Sequence, residues 1–360
     1  MSSRDHLLDL LRELVEIESP TYSSGVRGVA EVCSRELEAL GAQARLLEGD
    51  HLVAELAGDG PPLLLVGHTD TVWPEGTLAA MPFRTSDGRA YGPGTYDMKG
   101  GLVLLVEAIR LAVGRTRTLR VFLTADEESG SRTARPHLER VAGGCAAAFV
   151  VEPPGPSGSL KIARKGLGRF RLTISGRSAH AGTHREEGTS AIEELAHQVL
   201  ALLALNDDDR GVSVNVGVVR GGTSENVVAA EAQADIDVRV ARHEDRERLE
   251  AALASLKPHL DGVRLALSGD WTRPPLEPSP GGDRLLAKAR EHGRTLGLEL
   301  EAESSGGGSD GNIVGAAGVP VLDGLGAQGG GAHAPDEHVL LDSIPLRAQL
   351  LSLLLRSLGV

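Results

Sequence analysis

One histidine and a series of acidic side chains fall where short apolar runs end. His68 closes Leu63-Leu64-Leu65-Val66-Gly67. Glu127 and Glu128 follow Val121-Phe122-Leu123-Thr124-Ala125 across Asp126, and Glu152 follows Ala148-Phe149-Val150-Val151. Asp70 lies just beyond His68, and Asp97 stands in Gly92-Pro93-Gly94-Thr95-Tyr96-Asp97-Met98-Lys99-Gly100-Gly101, ahead of a helix pattern. Singly each is ordinary: His-x-Asp recurs by chance, paired glutamates usually face solvent, and an acid often ends a strand. Together they put His, Glu-Glu and Glu at three strand exits, the edge at which open α/β sheets bind ligands. Carboxylates gathered there raise one another's pKa unless a cation sits among them. The set therefore suggests a metal site, with the Asp70 carboxylate placed to hold the ring of His68.

Positioning such a set takes buried strands. The continuous apolar run at 62–66 has the signature of a strand covered on both faces, 119–123 and 146–151 read as the next buried strands, and 42–47 and 52–56 read as further strands after which 58–62 turns the chain. Helical spacing recurs over 7–17, 28–40, 102–113 and 134–141. This alternation predicts an α/β unit whose mainly parallel sheet is sandwiched by helices. Past Lys165 the pattern changes: 168–175, 213–219 and 230–240 alternate with period two, 189–205 and 247–257 read as helices, and 263–268 is extended. An antiparallel sheet with helices on one face is expected there. After the proline-rich crossing 274–282 come a helix over 283–296, a glycine-rich loop over 304–311, a strand at 319–322 and a last helix over 344–358. The expected organisation is a catalytic domain in 1–164 and 275–360, interrupted by an α+β lid over 165–274.

The 360-residue chain carries 50 acidic against 37 basic residues, a formal charge of −13. That balance argues against a general nucleic-acid binder, which needs an excess of Lys and Arg to neutralise phosphates. No apolar run approaches the ~20 residues that span a bilayer. Cys33 and Cys145 stand far apart and read as two buried, reduced thiols, and the N-terminus lacks the pattern of a secretory signal; a cytoplasmic protein is expected.

In order and spacing, Gly67-His68-Thr69-Asp70-Thr71-Val72, Gly92-Pro93-Gly94-x-x-Asp97-Met98-Lys99-Gly100-Gly101 and Thr124-Ala125-Asp126-Glu127-Glu128 resemble the di-zinc metallopeptidase family of glutamate carboxypeptidase, aminoacylase, acetylornithine deacetylase and succinyl-diaminopimelate desuccinylase. The likeness runs over nearly the whole chain and is nearest to the glutamate carboxypeptidase branch. It implies that Asp97 bridges two divalent ions, with His68 and Glu152 completing one site and Glu128 and His333 the other. His333 lies in a His-x-x-x-Glu segment, Gly330-Gly331-Ala332-His333-Ala334-Pro335-Asp336-Glu337. Glu127 matches the general base and Asp70 the carboxylate that orients His68. Zinc suits these donors, as do cobalt and manganese.

The resemblance extends to the lid. Ser175-Gly176-Arg177-Ser178-Ala179-His180-Ala181-Gly182 matches a motif whose histidine reaches the active site of the partner subunit, so His180 is expected to stabilise the oxyanion across a homodimer built through the lid. Arg239 and Asn226 match positions that approach substrate, Arg239 being suited to pair a carboxylate with its planar fork; a plain salt bridge is the alternative. Gly308, in Ser305-Gly306-Gly307-Gly308-Ser309-Asp310-Gly311, matches a loop that presents backbone to substrate. Ser190 departs from the Asn common at its position. His51, His184 and His338 match no role and are expected at the surface. The implied activity is hydrolysis of an amide bond beside a free carboxylate, in a peptide or acyl conjugate; deacylation of an N-acyl amino acid is the alternative, followed by a biosynthetic reaction on the same metal pair. A non-catalytic binding protein would have lost a ligand or the base, and His68, Asp97, Glu127, Glu128, Glu152 and His333 are all present.

Overall fold

A computed structural model describes residues 3–358. The chain divides into two compact units. The first runs to Ala163 and resumes over Glu277–Ser305 and from Ser309 onward; the second comprises Arg164–Leu276 and Gly306–Gly308.

The first unit is built on a six-stranded sheet. Its order is Gln43–Leu46, Leu52–Leu56, Arg117–Thr124, Asp59–His68, Ala147–Val150 and Val321–Leu322. The last four strands run parallel to one another, Leu52–Leu56 lies antiparallel to Arg117–Thr124, and Gln43–Leu46 lies antiparallel to Leu52–Leu56. Leu63, Leu64, Leu65 and Val66 are fully buried, as a strand flanked on both sides and covered on both faces requires. Register aligns the strand exits: His68 pairs with Thr124, and Val66 with Val150. The chemistry-bearing residues therefore leave the sheet side by side. The strand begins earlier than its apolar run, at Asp59, where a turn was expected. Asp59 pairs with Arg117, and pairing lapses until Leu63, because Pro61 and Pro62 have no N–H to donate.

Helix Gly100–Leu111 is buried from Gly100 to Ile109 and packs against the last helix, Ser343–Ser357. Lys99, just before it, is buried and donates to the Ile17 carbonyl at 2.7 Å; burial pulls its pKa down to about 7. A second, small sheet was not foreseen. It joins Arg84–Ser86, Arg89–Tyr91, His338–Leu340 and Gly329–Gly330, strands of two or three residues too short and glycine-rich to carry a periodic signal.

The second unit has a four-stranded antiparallel sheet, ordered Ser213–Gly221, Glu231–Val240, Gly166–Ser175, Arg264–Arg273. Burial alternates along Glu231–Val240, the buried side chains packing with those of helices Ala191–Leu203 and His243–Ala254.

His51 is not at the surface as expected: it is wholly buried. Its Nδ1 accepts from the Ala125 amide at 3.1 Å, and its Nε2 pairs with Thr133 Oγ1 at 3.1 Å. The ring fills the space behind the acidic turn and satisfies two polar groups there, a role no motif announces. Cys33 is buried and its thiol pushed up to about 12 by desolvation, whereas Cys145 is only half-buried and donates to the Val141 carbonyl at 3.4 Å. No helix among the described residues is long and apolar enough to cross a membrane.

Gly101 sets how closely the buried helix approaches the sheet, since a Cβ there would lie 2.2 Å from the Val151 carbonyl oxygen. Helix propensity alone favours Gly101→Ala by about 1 kcal/mol; the clash with backbone opposes it by about 1–3 kcal/mol. We expect the clash to win, with a lower urea midpoint for Gly101→Ala. An unchanged or raised midpoint would refute this account of the packing.

Candidate metal centre

His68 leaves its strand with the ring fixed at both nitrogens. Nδ1 lies 2.9 Å from the Asp70 carbonyl oxygen and 3.4 Å from its Oδ1. With the proton on Nδ1 and donated to that carbonyl, Nε2 presents its lone pair, 3.1 Å from Asp97 Oδ1 and 3.6 Å from Glu152 Oε1. The nearer partner of the ring is thus the Asp70 backbone. The Asp70 carboxylate also serves the acidic turn: Oδ1 accepts from the Glu127 amide at 3.1 Å, and Oδ2 from the Glu128 amide at 3.1 Å and the Thr21 hydroxyl at 2.7 Å. Asp126 steadies the same turn from behind, accepting from the Thr133 amide and hydroxyl at 2.7 and 2.8 Å.

Asp97 sits in a single kinked turn, Thr95–Lys99, with extended backbone (φ −116, ψ 92) and a cis peptide to Met98. Its side chain points two ways, Oδ1 towards His68 and Oδ2 towards His333 Nε2 at 3.5 Å. His333 Nε2 also lies 3.5 Å from Glu128 Oε1. His333 stands at φ +61 in the loop that joins the small-sheet strands Gly329–Gly330 and His338–Leu340. The loop's last residue, Glu337, is buried, and its carboxylate accepts from the Gly94, Tyr96 and Asp97 amides and from Trp73 Nε1. Burial raises its pKa while these donors pull it back. Glu152 is held through the neighbouring chain, where Gly326 donates to its carbonyl at 2.9 Å. Buried Arg347 in turn binds the Gly324, Leu325 and Gly158 carbonyls at 2.6, 3.4 and 3.1 Å.

These donors fit divalent cations. Ligand atoms about 2.0–2.1 Å from one tetrahedral ion stand roughly 3.3 Å apart, and the four contacts of His68 and His333 span 3.1–3.6 Å. Asp97 belongs to both sets, one oxygen to each. His68 with Glu127 and Glu152, and His68 with Asp97 and Glu128, also bring donor atoms within 4.8 Å of one another. Glu128 Oε1 is buried with no hydrogen-bond partner, a costly state for a carboxylate unless a cation meets it. Titration behaviour agrees. The nearby carboxylates of Asp97 and then Glu128 push His333 up to about 10. Burial opposes protonation of His68, yet Asp70 and Asp97 raise it well above the usual range. Burial likewise opposes ionisation of Asp97, but His333 and His68 hold it well below the carboxylate range. Burial raises Glu128.

The structure therefore brings His68, Asp70, Asp97, Glu127, Glu128, Glu152 and His333 together in the first unit. His180, Asn226, Arg239 and Gly308 belong to the second unit. His180 is exposed, and its Nδ1 accepts from the Gly182 and Thr183 amides at 3.1 and 3.2 Å, which places the proton on Nε2 and makes that atom a donor. Asn226 accepts from Ser224 at 2.8 Å. Arg239 pairs with Asp237 at 2.9 Å and donates to the Gly306 carbonyl at 2.8 Å. A Cβ on Gly308 would lie 2.4 Å from Leu167 Cδ1 and 2.5 Å from Arg273 Cδ, so any side chain there would displace the ends of both. Ser190 caps helix Ala191–Leu203, accepting from the Glu193 amide. His184 is exposed and His338 only partly so. Sequence reasoning assigned nothing to Thr21, His51, Arg347 or Glu337; only Glu337 had a signal, four residues after His333.

Comparison with known proteins matches residues 64–357 to the model of peptidase family M20/M25/M40. Carboxypeptidase G2 of Pseudomonas sp. (strain RS-16) is 31% identical over 98% of this chain and 89% of its own length. A succinyl-diaminopimelate desuccinylase of Stenotrophomonas maltophilia (strain R551-3) is 29% identical over 94% of this chain and 95% of its own. Among solved structures, aminopeptidase PepT of Bacillus cereus shares the fold with a TM-score of 0.85 at 23% identity, covering 99% of each chain.

Asp70 has a double task, so its loss has two consequences. In Asp70→Ala the Glu127 and Glu128 amides and the Thr21 hydroxyl lose their acceptor. We expect a stability loss on the order of 1–3 kcal/mol in the chelator-treated protein and a 10–100-fold weaker affinity for divalent ions in equilibrium dialysis. Wild-type values in both experiments would remove Asp70 from the scaffold of the centre.

Proposed function

Because the chain belongs to peptidase family M20/M25/M40, and is thereby a hydrolytic metalloenzyme, we propose that it is a carboxypeptidase-type hydrolase cutting an amide bond beside a free carboxylate. The observation that carries this is the donor set itself, with Asp97 turned towards both histidines and the orphaned Glu128 oxygen beside His333. His68 and Glu152 would hold one ion, His333 and Glu128 the other, and Asp97 both. Two divalent ions there, zinc or the similarly bound cobalt or manganese, would supply Lewis acidity at the scissile carbonyl and a water acidified for attack.

Glu127 is the general base in this proposal. It takes the proton of the attacking water and delivers it to the leaving amine, as a positioned acid–base does. Support comes from its donor atom lying with those of His68 and Glu152, on a turn whose amide Asp70 fixes. We assign to His180 of the partner subunit the stabilisation of the developing oxyanion; the Nε2 proton that its backbone bonds enforce gives it the needed donor. Arg239 would receive the substrate carboxylate, in company with Asn226 and the backbone at Gly308. In this division of labour, residues 1–164 and 275–360 form the catalytic domain and 165–274 the lid. The similarity to carboxypeptidase G2 favours a substrate ending in a free amino acid; the similarity to the desuccinylase supports the second reading, an N-acyl amino acid deacylase. Unpaired Cys33 and Cys145 suit a cytoplasmic site of action.

Dimerisation through the lid is part of the proposal. Helix Ala191–Leu203 leaves Ile192, Leu200 and Leu203 47%, 68% and 42% exposed. It packs on Ser213–Gly221, an edge strand that itself exposes Val218 and Val219. An unpaired strand edge beside an apolar helix stripe is a surface that proteins normally cover.

Two outcomes are expected. Glu127→Gln should keep its ions, measured by metal analysis, while kcat/KM falls by about 10²–10⁴ on whichever of acyl-glutamates, dipeptides or N-acetyl amino acids is turned over; full activity after exhaustive chelation would contradict the mechanism. Leu200→Glu should convert a dimer to a monomer in light scattering, and a wild-type monomer would remove His180 in trans.

A further inference from the structure

An ionised carboxyl group offers about four acceptor positions, two on each oxygen. Glu337 has donors for all four. Oε2 accepts from Trp73 Nε1 at 2.6 Å and the Gly94 amide at 2.9 Å, and Oε1 from the Tyr96 amide at 2.9 Å and the Asp97 amide at 3.0 Å. The residue is 1% exposed. Its three amide donors belong to the arm that ends in Asp97, and Glu337 itself ends the loop that carries His333. Of the residues read as ligands, these two do not follow a strand of the six-stranded sheet: Asp97 lies in a kinked turn and His333 stands at φ +61. A strand exit does not fix them as it fixes His68.

We propose that Glu337 is a positioning residue that assembles the Asp97 arm in the metal-free protein and sets its spacing from His333. This rests on the metal reading above and adds to it the order of events: the arm is made first, by protein donors, and ions bind to a formed site. Glutamine cannot substitute. Its single oxygen satisfies one pair of donors and its NH2 faces the other pair as a further donor. The charge-assisted bonds are also the stronger kind. Trp73 contributes one of the four donors and supplies a reporter, because the only other tryptophan, Trp271, lies in the second unit.

Three measurements test this. In the wild-type protein freed of metal by chelation, the Gly94, Tyr96 and Asp97 amides should exchange with solvent at least about 100-fold more slowly than unprotected amides; unprotected exchange there overturns the proposal without any variant. In a Trp271→Phe background, Glu337→Gln should shift the Trp73 emission of the metal-free protein and weaken divalent-ion affinity about 10–100-fold in competition with a chromophoric chelator. Trp73→Phe, which removes one donor of four, should lose less than threefold. Glu337→Gln with wild-type affinity and emission overturns the proposal, as does Trp73→Phe losing as much as Glu337→Gln. If Glu337→Gln does not fold, the exchange experiment and Trp73→Phe decide. A wild-type protein that binds no divalent ion would sink the metal centre, whereas the exchange rates of the metal-free protein still decide the role of Glu337.

Discussion

The structure depends on one electrostatic constraint: Asp70, Asp97, Glu127, Glu128 and Glu152 must share one edge of a sheet. Like charges so placed repel and, when buried, lose hydration that water would otherwise give them. Burial and proximity pull against each other throughout the centre, raising Glu128, holding Asp97 down and raising both histidines. A fold that tolerates this must either bring cations or aim fixed backbone dipoles at the acids, and the chain has arrangements suited to both.

Backbone dipoles answer the charge of acids that reach away from the centre. Asp70 takes the amides of Glu127 and Glu128, Asp126 that of Thr133, and Glu337 those of Gly94, Tyr96 and Asp97. Each bond both offsets a negative charge and fixes the peptide from which a neighbouring side chain departs. The result is a layered arrangement in which one acid places the backbone of the next. A substitution in the outer layer acts on the centre through geometry, because no outer-layer carboxylate is turned towards both histidines as Asp97 is.

The parallel sheet was legible because burial on both faces demands apolar stretches, and 63–66, 121–123 and 147–151 are such stretches. Their ends marked His68, Glu127, Glu128 and Glu152 for the same reason. Where geometry is set by hydrogen bonds to backbone, the sequence carries little trace. The small sheet that joins Arg89–Tyr91 to His338–Leu340 has strands of three residues, and without it nothing in local propensity places the His333 loop beside the Asp97 arm. His51 shows the same limit from the other side. As a lone histidine it reads as surface, yet it satisfies Ala125 and Thr133 in the core, and only the packing around it could say so. The 59–62 segment misled in a definable way, since its glycine and prolines signal a turn while Asp59 still reaches a ladder partner in Arg117.

Partner saturation separates scaffold acids from candidate ligands better than burial does. Glu337 and Asp70 are as buried as any acid in the centre, at 1% exposure each. The acceptor positions of Glu337 are filled by protein donors, and the Asp70 carboxylate meets two amides and a hydroxyl. Glu128 leaves Oε1 buried with no hydrogen bond, and both oxygens of Asp97 meet imidazole nitrogens of the centre. An acid whose lone pairs are spent on amides has none left for an ion, whereas one whose lone pairs converge on another acid's histidine has no other use for them. On that physical ground Asp70 and Glu337 suit the frame, and Asp97 and Glu128 suit the ligand roles proposed for them.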